Sequence, residues 1–219
     1  MIWDELAFWQ LGDWQAVQER LDDLDKSGVG YNPDRSNLFA ALDAVEFESV
    51  RVVILGQDPY PIKRYATGIA FSIPKDAPYF PPTLENIFRE YRDDLHYPLP
   101  TSGCLTKWCD QGVLLWNVIP TCQSGKSMSH DWVEWTFLTQ EIIEKLSTEN
   151  NCVFVALGNT AQKYLKYIKD PEDNRIIMTS HPSPLASGKS AHPFFGSRIF
   201  STINMKLREI NYDLIDWRL

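Results

Sequence analysis

The sequence predicts an α/β fold, a single domain with a central, mainly parallel four-stranded sheet flanked by helices on both faces. Three observations predict it. Short apolar runs rich in β-branched residues occur at 51–55, 113–117, 152–157 and 175–179, the pattern of buried strands. Segments with helical spacing lie between them, and such alternation yields a parallel sheet covered on both sides. Each run also passes straight into polar or turn-forming residues: Gly56-Gln57-Asp58, Asn117, Gly158-Asn159 and Ser180-His181.

In chain order, Trp3, Leu6, Phe8, Leu11, Trp14, Val17, Leu21 and Leu24 recur at helical spacing, which predicts a helix over 3–24. The stretch 28–33 contains Gly28, Gly30 and Pro33 and ends that pattern. Residues 34–45 read as helix, then the first strand runs into Gly56. Helical patterns follow at 83–95, 132–147, 158–168 and 195–209. Thr83, after Pro81-Pro82, suits an N-cap because its hydroxyl can accept from a free backbone N–H. No internal repeat, low-complexity segment or linker interrupts the chain, so 1–219 reads as one domain.

The chain has 219 residues, 44% hydrophobic and 23% charged, ordinary for a water-soluble globular chain with a full core. Its net charge of −8 argues against a nucleic-acid partner only as a sum. The acid is concentrated early, at Asp4, Glu5, Asp13, Glu19, Asp22, Asp23 and Asp25. Lys63, Arg64, Lys75, Lys126, Lys189 and Arg198 instead lie near the motifs below. Cys104, Cys109, Cys122 and Cys152 form no CxxC pair, which disfavours a zinc or iron–sulfur site and suits reduced structural thiols. The acidic N-terminus lacks a signal-peptide pattern, and no apolar run reaches membrane-spanning length. The expectation is a cytoplasmic chain, or one in another internal compartment, neither secreted nor membrane-bound.

In an open parallel sheet, ligands bind at the carboxyl ends of the strands. Asp58, Asn117 and His181 therefore converge on one rim although they are far apart in sequence. Gly56-Gln57-Asp58-Pro59-Tyr60-Pro61 reads equally as an Asx turn shaped by prolines and as a rigid pocket wall carrying a carboxylate. Phe71, taken alone, is a core residue. Phe80-Pro81-Pro82-Thr83 is a stiff, hydroxyl-tipped entry into a helix, where free N–H groups can bind phosphate; a plain helix start fits as well. Asn117 ends an apolar strand, and its amide must either cap a turn or serve a ligand. His181-Pro-Ser-Pro-Leu-Ala-Ser187 is an extended loop stiffened by alternate prolines. Leu185 near its tip, flanked by serines, has the character of a wedge for a base stack.

With these residues in view, the chain resembles the family 1 uracil-DNA glycosylases over nearly its whole length. The matching stretches, in order, are Val53-Ile-Leu-Gly-Gln-Asp-Pro-Tyr60, Gly68-Ile-Ala-Phe-Ser72, Pro81-Pro-Thr-Leu84, Gln111-Gly-Val-Leu-Leu-Trp-Asn117, Ser129-His130 with Trp135, Leu157-Gly158 with Ala161-Gln162, His181-Pro-Ser-Pro-Leu185, Phe194-Phe-Gly196 and Ile215-Asp-Trp217. The resemblance implies an enzyme that flips uracil out of single- or double-stranded DNA and hydrolyses its N-glycosidic bond, leaving an abasic site for base excision repair. It implies catalysis by Asp58, beside the attacking water and the sugar cation, and by His181, bonded to O2 of the departing base. Gln57 lines the pocket, Tyr60 packs against uracil C5, Phe71 stacks on the ring, and Asn117 reads the N3–H and O4 edge. Leu185 fills the gap in the duplex. Thr83, Ser183 and Ser187 compress the DNA backbone, and Gly158 with Asn159 forms a loop that grips it. The expected chemistry needs no metal or organic cofactor. The expected partner is uracil-containing DNA and the expected state a monomer, with no replication partner or protein inhibitor specified.

The chain departs from the family pattern at four places. Pro61 stands where the family usually has His, removing that residue's water contact. Asn159 replaces a Ser, Thr83 replaces a common Ser, and Ala186 stands where a Ser follows the wedge. These bear on rate and DNA affinity more than on reaction type. Two other functions fit parts of the pattern. One is a sibling glycosylase acting on mismatched thymine or other bases, which Tyr60 and Asn117 oppose. The other is a non-enzymatic DNA-binding module, in which Asp58 and His181 would have no reason to converge.

Overall fold

The computed structural model describes residues 2–169, 171, 175–184 and 191–219. Its centre is a parallel sheet of β2 (Val52–Gly56), β3 (Val113–Asn117), β5 (Val153–Leu157) and β6 (Ile176–Thr179). The spatial order is β3-β2-β5-β6, with every neighbouring pair parallel. All residues of β2, β3 and β5 are buried. Successive side chains on a strand point to opposite faces, so complete burial means that both faces are covered. β6 is an edge strand and leaves Met178 45% exposed. The expected α/β sheet is thus present, with every strand within a residue of its expected bounds.

The helices are α1 (Ala7–Gln10), α2 (Asp13–Ser27), α3 (Ala40–Asp43), α4 (Pro82–Leu95), α5 (Thr106–Cys109), α6 (Val133–Glu149), α7 (Asn159–Gln162) and α8 (Ile199–Glu209). The continuous helix expected over 3–24 is divided. Gly12 adopts φ 91°, a left-handed conformation that interrupts the helix and lets α2 start afresh at Asp13. The segment 34–45 holds a 3-10 turn and the short α3, and 158–168 holds α7 and a second 3-10 turn. Thr83 is not the N-cap expected of it. Pro81 takes that place with extended backbone, and Thr83 lies inside the first turn of α4, after a proline whose fixed φ suits helix entry.

A feature absent from the sequence-based picture is the antiparallel ribbon of β1 (Tyr31–Asn32) and β4 (Cys122–Gln123). Two-residue strands carry no periodicity, so nothing in the pattern announces them. The ribbon braces the loop after β2. The Asn32 side chain donates to the Tyr60 carbonyl at 3.1 Å, and the Gly125 N–H donates to the Pro61 carbonyl at 2.8 Å. The core around the sheet is aromatic, with Trp116, Trp135, Trp217 and Phe154 buried. Two of these buried indoles have hydrogen-bond partners: Trp116 donates to Thr139, and Trp135 to Thr121, both at 2.9 Å, whereas Trp217 Nε1 has none among the described residues. The four cysteines are free thiols; burial pushes those of Cys109, Cys122 and Cys152 up to about 12. No helix among the described residues is long and apolar enough to cross a membrane.

Candidate active site

The chain continues from β2 to β3 on one side and later places β5 on the other, so the carboxyl end of β2 lies where the winding reverses. Such a reversal opens a crevice in an open α/β sheet. A cleft of about 590 Å³ occupies that position. Gln57, Asp58, Tyr60, Phe71, Thr83, Asn117, Gly158, Asn159, His181 and Ser183 all line it. These are all the site residues expected from sequence that lie among the described residues. Leu185 and Ser187 fall outside them.

The floor is shaped by a close approach at the end of β2. Gly56 pairs in register with Asn117. A Cβ on Gly56 would stand 2.7 Å from Asn117 Oδ1 and 3.0 Å from the Phe71 ring. The missing side chain therefore lets an amide and an aromatic ring close over the strand end. Phe71 itself sits at φ 65°, strained for a residue with a Cβ, and such strain collects at functional sites. It is held there by its neighbours. Ala70 N–H donates to Leu115 at 3.0 Å, and the Tyr60 hydroxyl donates to the Phe71 carbonyl at 3.1 Å. The Tyr60 ring is thus fixed as a wall of the cleft, and burial pushes its hydroxyl pKa upward.

Asp58 receives several donors. The Ser127 hydroxyl lies 2.9 Å from Oδ1 and 2.7 Å from Oδ2, the Met128 N–H donates to Oδ2 at 2.7 Å, and Gln57 Nε2 donates to Oδ1 at 3.0 Å. Gln57 is aimed in turn by Thr160, whose hydroxyl donates to its Oε1 at 3.2 Å. Across the cleft, burial lowers the His181 pKa, opposed by the negative charge of Asp58. His181 Nδ1 accepts from the Ser183 N–H at 3.1 Å. A ring nitrogen that accepts carries no proton, so neutral His181 bears its proton on Nε2 and is a donor there. Gly158, at φ 90°, leaves room for it: a Cβ there would stand 2.7 Å from the His181 Cβ.

Ser127 and Thr160 also line the cleft and were not singled out from sequence. A lone Ser in a turn gives no signal until the chain folds it against a carboxylate. Another missed set is the stripe Asn86, Glu90 and Asp94 on α4. These residues are four apart, so they share one face. Asn86 donates to the Pro182 carbonyl at 2.8 Å. Glu90 accepts from the N–H groups of Gly196 at 2.7 Å and Arg198 at 2.8 Å, and Asp94 accepts from the Ser201 N–H at 2.9 Å. The stripe thus holds the backbone directly after His181, at Pro182, and again at the entry to α8. His130, part of the sequence resemblance, does not line the cleft: it is buried, bonded to Thr121 at 3.0 Å and stacked on Trp132 at 4.3 Å.

Comparison with known proteins bears on the family and the fold. The model of the uracil DNA glycosylase superfamily matches residues 43–208. The uracil-DNA glycosylase of Coxiella burnetii is 41% identical over 220 residues, covering 94% of each chain. That of Chlamydia abortus is 41% identical over 189 residues, covering 85% of this chain and 80% of its own. Among solved structures, the mimivirus uracil-DNA glycosylase superposes with a TM-score of 0.83 at 27% identity, covering 95% of this chain and 86% of its own.

Proposed function

The chain belongs to the uracil DNA glycosylase superfamily, and from that premise we propose how its cleft excises uracil from DNA, with Asp58 and His181 as the catalytic pair. The activity is that of a DNA glycosylase, a hydrolase of base excision repair. The observation that carries the residue assignment is that the carboxyl of Asp58, held by backbone and side-chain donors, and His181, whose Nδ1 accepts a backbone N–H, line one cleft together with Phe71 and Asn117.

A base inside a duplex cannot reach such a cleft and must rotate out, at a cost of roughly a few kcal/mol. Leu185, read from sequence as the wedge, offsets that cost, while Thr83, Ser183, Ser187 and the Gly158-Asn159 loop hold the backbone. The flipped base lies against Phe71, with Asn117 matching N3–H and O4 and Tyr60 closing on C5. The N1–C1′ bond then breaks with its electron pair leaving on the base. His181 Nε2–H donates to O2, where negative charge develops. A donor so placed is worth about 2.7–4 kcal/mol. Asp58 faces the sugar as it becomes cationic, and at about 4 Å that attraction is worth roughly 4 kcal/mol. Water adds to C1′ and gives its proton to the carboxylate. The chain acts as a monomer in whichever compartment holds the DNA.

Uracil release from a single-stranded oligonucleotide tests the reading. Free uracil and an abasic site are expected. Release of thymine but not uracil would favour a sibling specificity, and DNA binding with no release a binding module.

A further inference from the structure

We propose that Ser127 holds the attacking water together with Asp58. The inference deepens the reading of the cleft as a uracil-excising site and rests on it. A carboxylate that is to position water needs a lone pair to spare. Asp58 has few. Its two oxygens receive Gln57 Nε2, the Met128 N–H and the Ser127 hydroxyl, which lies within 2.9 Å of both. With four lone-pair sites on an ionised carboxyl, a single water bonded to Asp58 alone would be poorly fixed in direction. Pro61 lines the same cleft but has no hydrogen-bonding side chain.

Ser127 fills that gap. Its hydroxyl donates its one proton to Asp58, so both lone pairs of Oγ remain for acceptance. The nearest protein donor to them is Gln57 Nε2, at a long 3.5 Å. Ser127 is exposed and lines the cleft, so water has access to those lone pairs. Its loop is rigid. Lys126 N–H donates to Gln123 at 2.9 Å, Gln123 N–H to Ser129 Oγ at 2.7 Å, Ser129 Oγ to the Lys126 carbonyl at 2.7 Å, and Gly125 N–H to Pro61 at 2.8 Å. A water that donates one proton to Ser127 Oγ and the other to Asp58 has its own lone pairs directed away from both, toward the sugar. As its oxygen bonds to C1′, its proton passes to Asp58, directly or through Oγ, which gives up one proton as it takes another.

The test is single-turnover uracil release from a single-stranded oligonucleotide by the full chain. Ser127→Ala is expected to slow cleavage roughly 10- to 100-fold with little change in KM, the loss expected when a reacting group is misplaced by about an ångström. Ser127→Thr keeps the hydroxyl and is expected to restore most of the rate. In the Asp58→Asn background, Ser127→Ala is expected to add little, because residues acting as one unit are not additive. A Ser127→Ala rate within about twofold of wild type overturns the proposal. So does a Ser127→Thr rate as low as that of Ser127→Ala, or losses that multiply in the double variant. A wild-type chain that releases no uracil overturns the reading of the cleft and this inference with it.

Discussion

Asp58 and Tyr60 lie two positions apart on the loop after β2, yet in the proposed reading they govern different properties. In the proposed mechanism Asp58, held by Gln57, Ser127 and Met128, faces the sugar as it becomes cationic. Asp58→Asn retains the shape and removes the charge. The expected loss is about a thousandfold in rate, the equivalent of roughly 4 kcal/mol. DNA binding should be largely retained, so a single-turnover rate near wild type would remove Asp58 from the chemistry. In the proposed reading Tyr60 is the residue that decides which base is admitted. Thymine and uracil share the edge that Asn117 reads and differ by one C5 methyl. An open pocket distinguishes one methyl by only about 1–3 kcal/mol, so exclusion requires a hard wall. The Tyr60 hydroxyl bond to Phe71 makes the ring such a wall. Tyr60→Ala should release thymine from ordinary DNA and cut uracil somewhat more slowly. Uracil cleavage without any thymine release by this variant would assign the exclusion elsewhere.

At the scale of elements, the His181 segment owes its position to a helix far from it in sequence. The face of α4 carrying Asn86, Glu90 and Asp94 replaces solvent as the partner of backbone groups at Pro182, directly after the histidine, and at Gly196, Arg198 and Ser201 further along the chain. Glu90 is 2% exposed, and both its oxygens accept backbone N–H groups. Glu90→Ala leaves two such donors without their partner and should cost on the order of 2–4 kcal/mol of stability. Glu90→Gln keeps one acceptor and should cost less. Urea denaturation of the two variants checks the order, and equal stability of Glu90→Ala and wild type would show that the clamp is dispensable.

For the whole molecule, two bulk properties follow from where charge and protons are placed. Burial lowers the His130 pKa from its ordinary 6.5 to about 4. The unfolded chain therefore binds a proton more readily than the folded one between those values. His130 contributes its full stability above pH 6.5, and this is lost as pH falls toward about 4, on the order of 3 kcal/mol. His181 is shifted in the same direction by burial. Thermal melting should drop over that window, and His130→Gln should show a shallower drop; parallel profiles would exclude His130 as a source. The second property is DNA affinity. Despite a net charge of −8, an exposed cation, Lys126, directly precedes the cleft-lining Ser127 in the chain. Binding should weaken with salt with a log–log slope of roughly −2 or steeper. A flat dependence would argue against phosphate contacts. Lys63 contributes less than its sequence position suggests, because it is paired with Asp34 at 2.7 Å.

The strands were legible because burial on both faces demands continuous apolar runs, and the cleft residues were legible because each such run ends in a polar group. Gly56, Asp58, Asn117, Gly158 and His181 follow from that rule alone, without knowledge of which strand lies beside which. The break at Gly12 and the entry of α4 at Pro81 were less legible, since helical spacing persists across a glycine and a hydroxyl beside prolines looks like a cap. Strand order, the β1–β4 ribbon, the Ser127 contact with Asp58 and the clamp from α4 were decided only by tertiary structure. They join residues such as Asn32 and Tyr60, Asp58 and Ser127, or Glu90 and Arg198. A single serine or glutamate has no periodicity, and its role depends on which distant backbone or carboxylate the folded core brings within 3 Å of it.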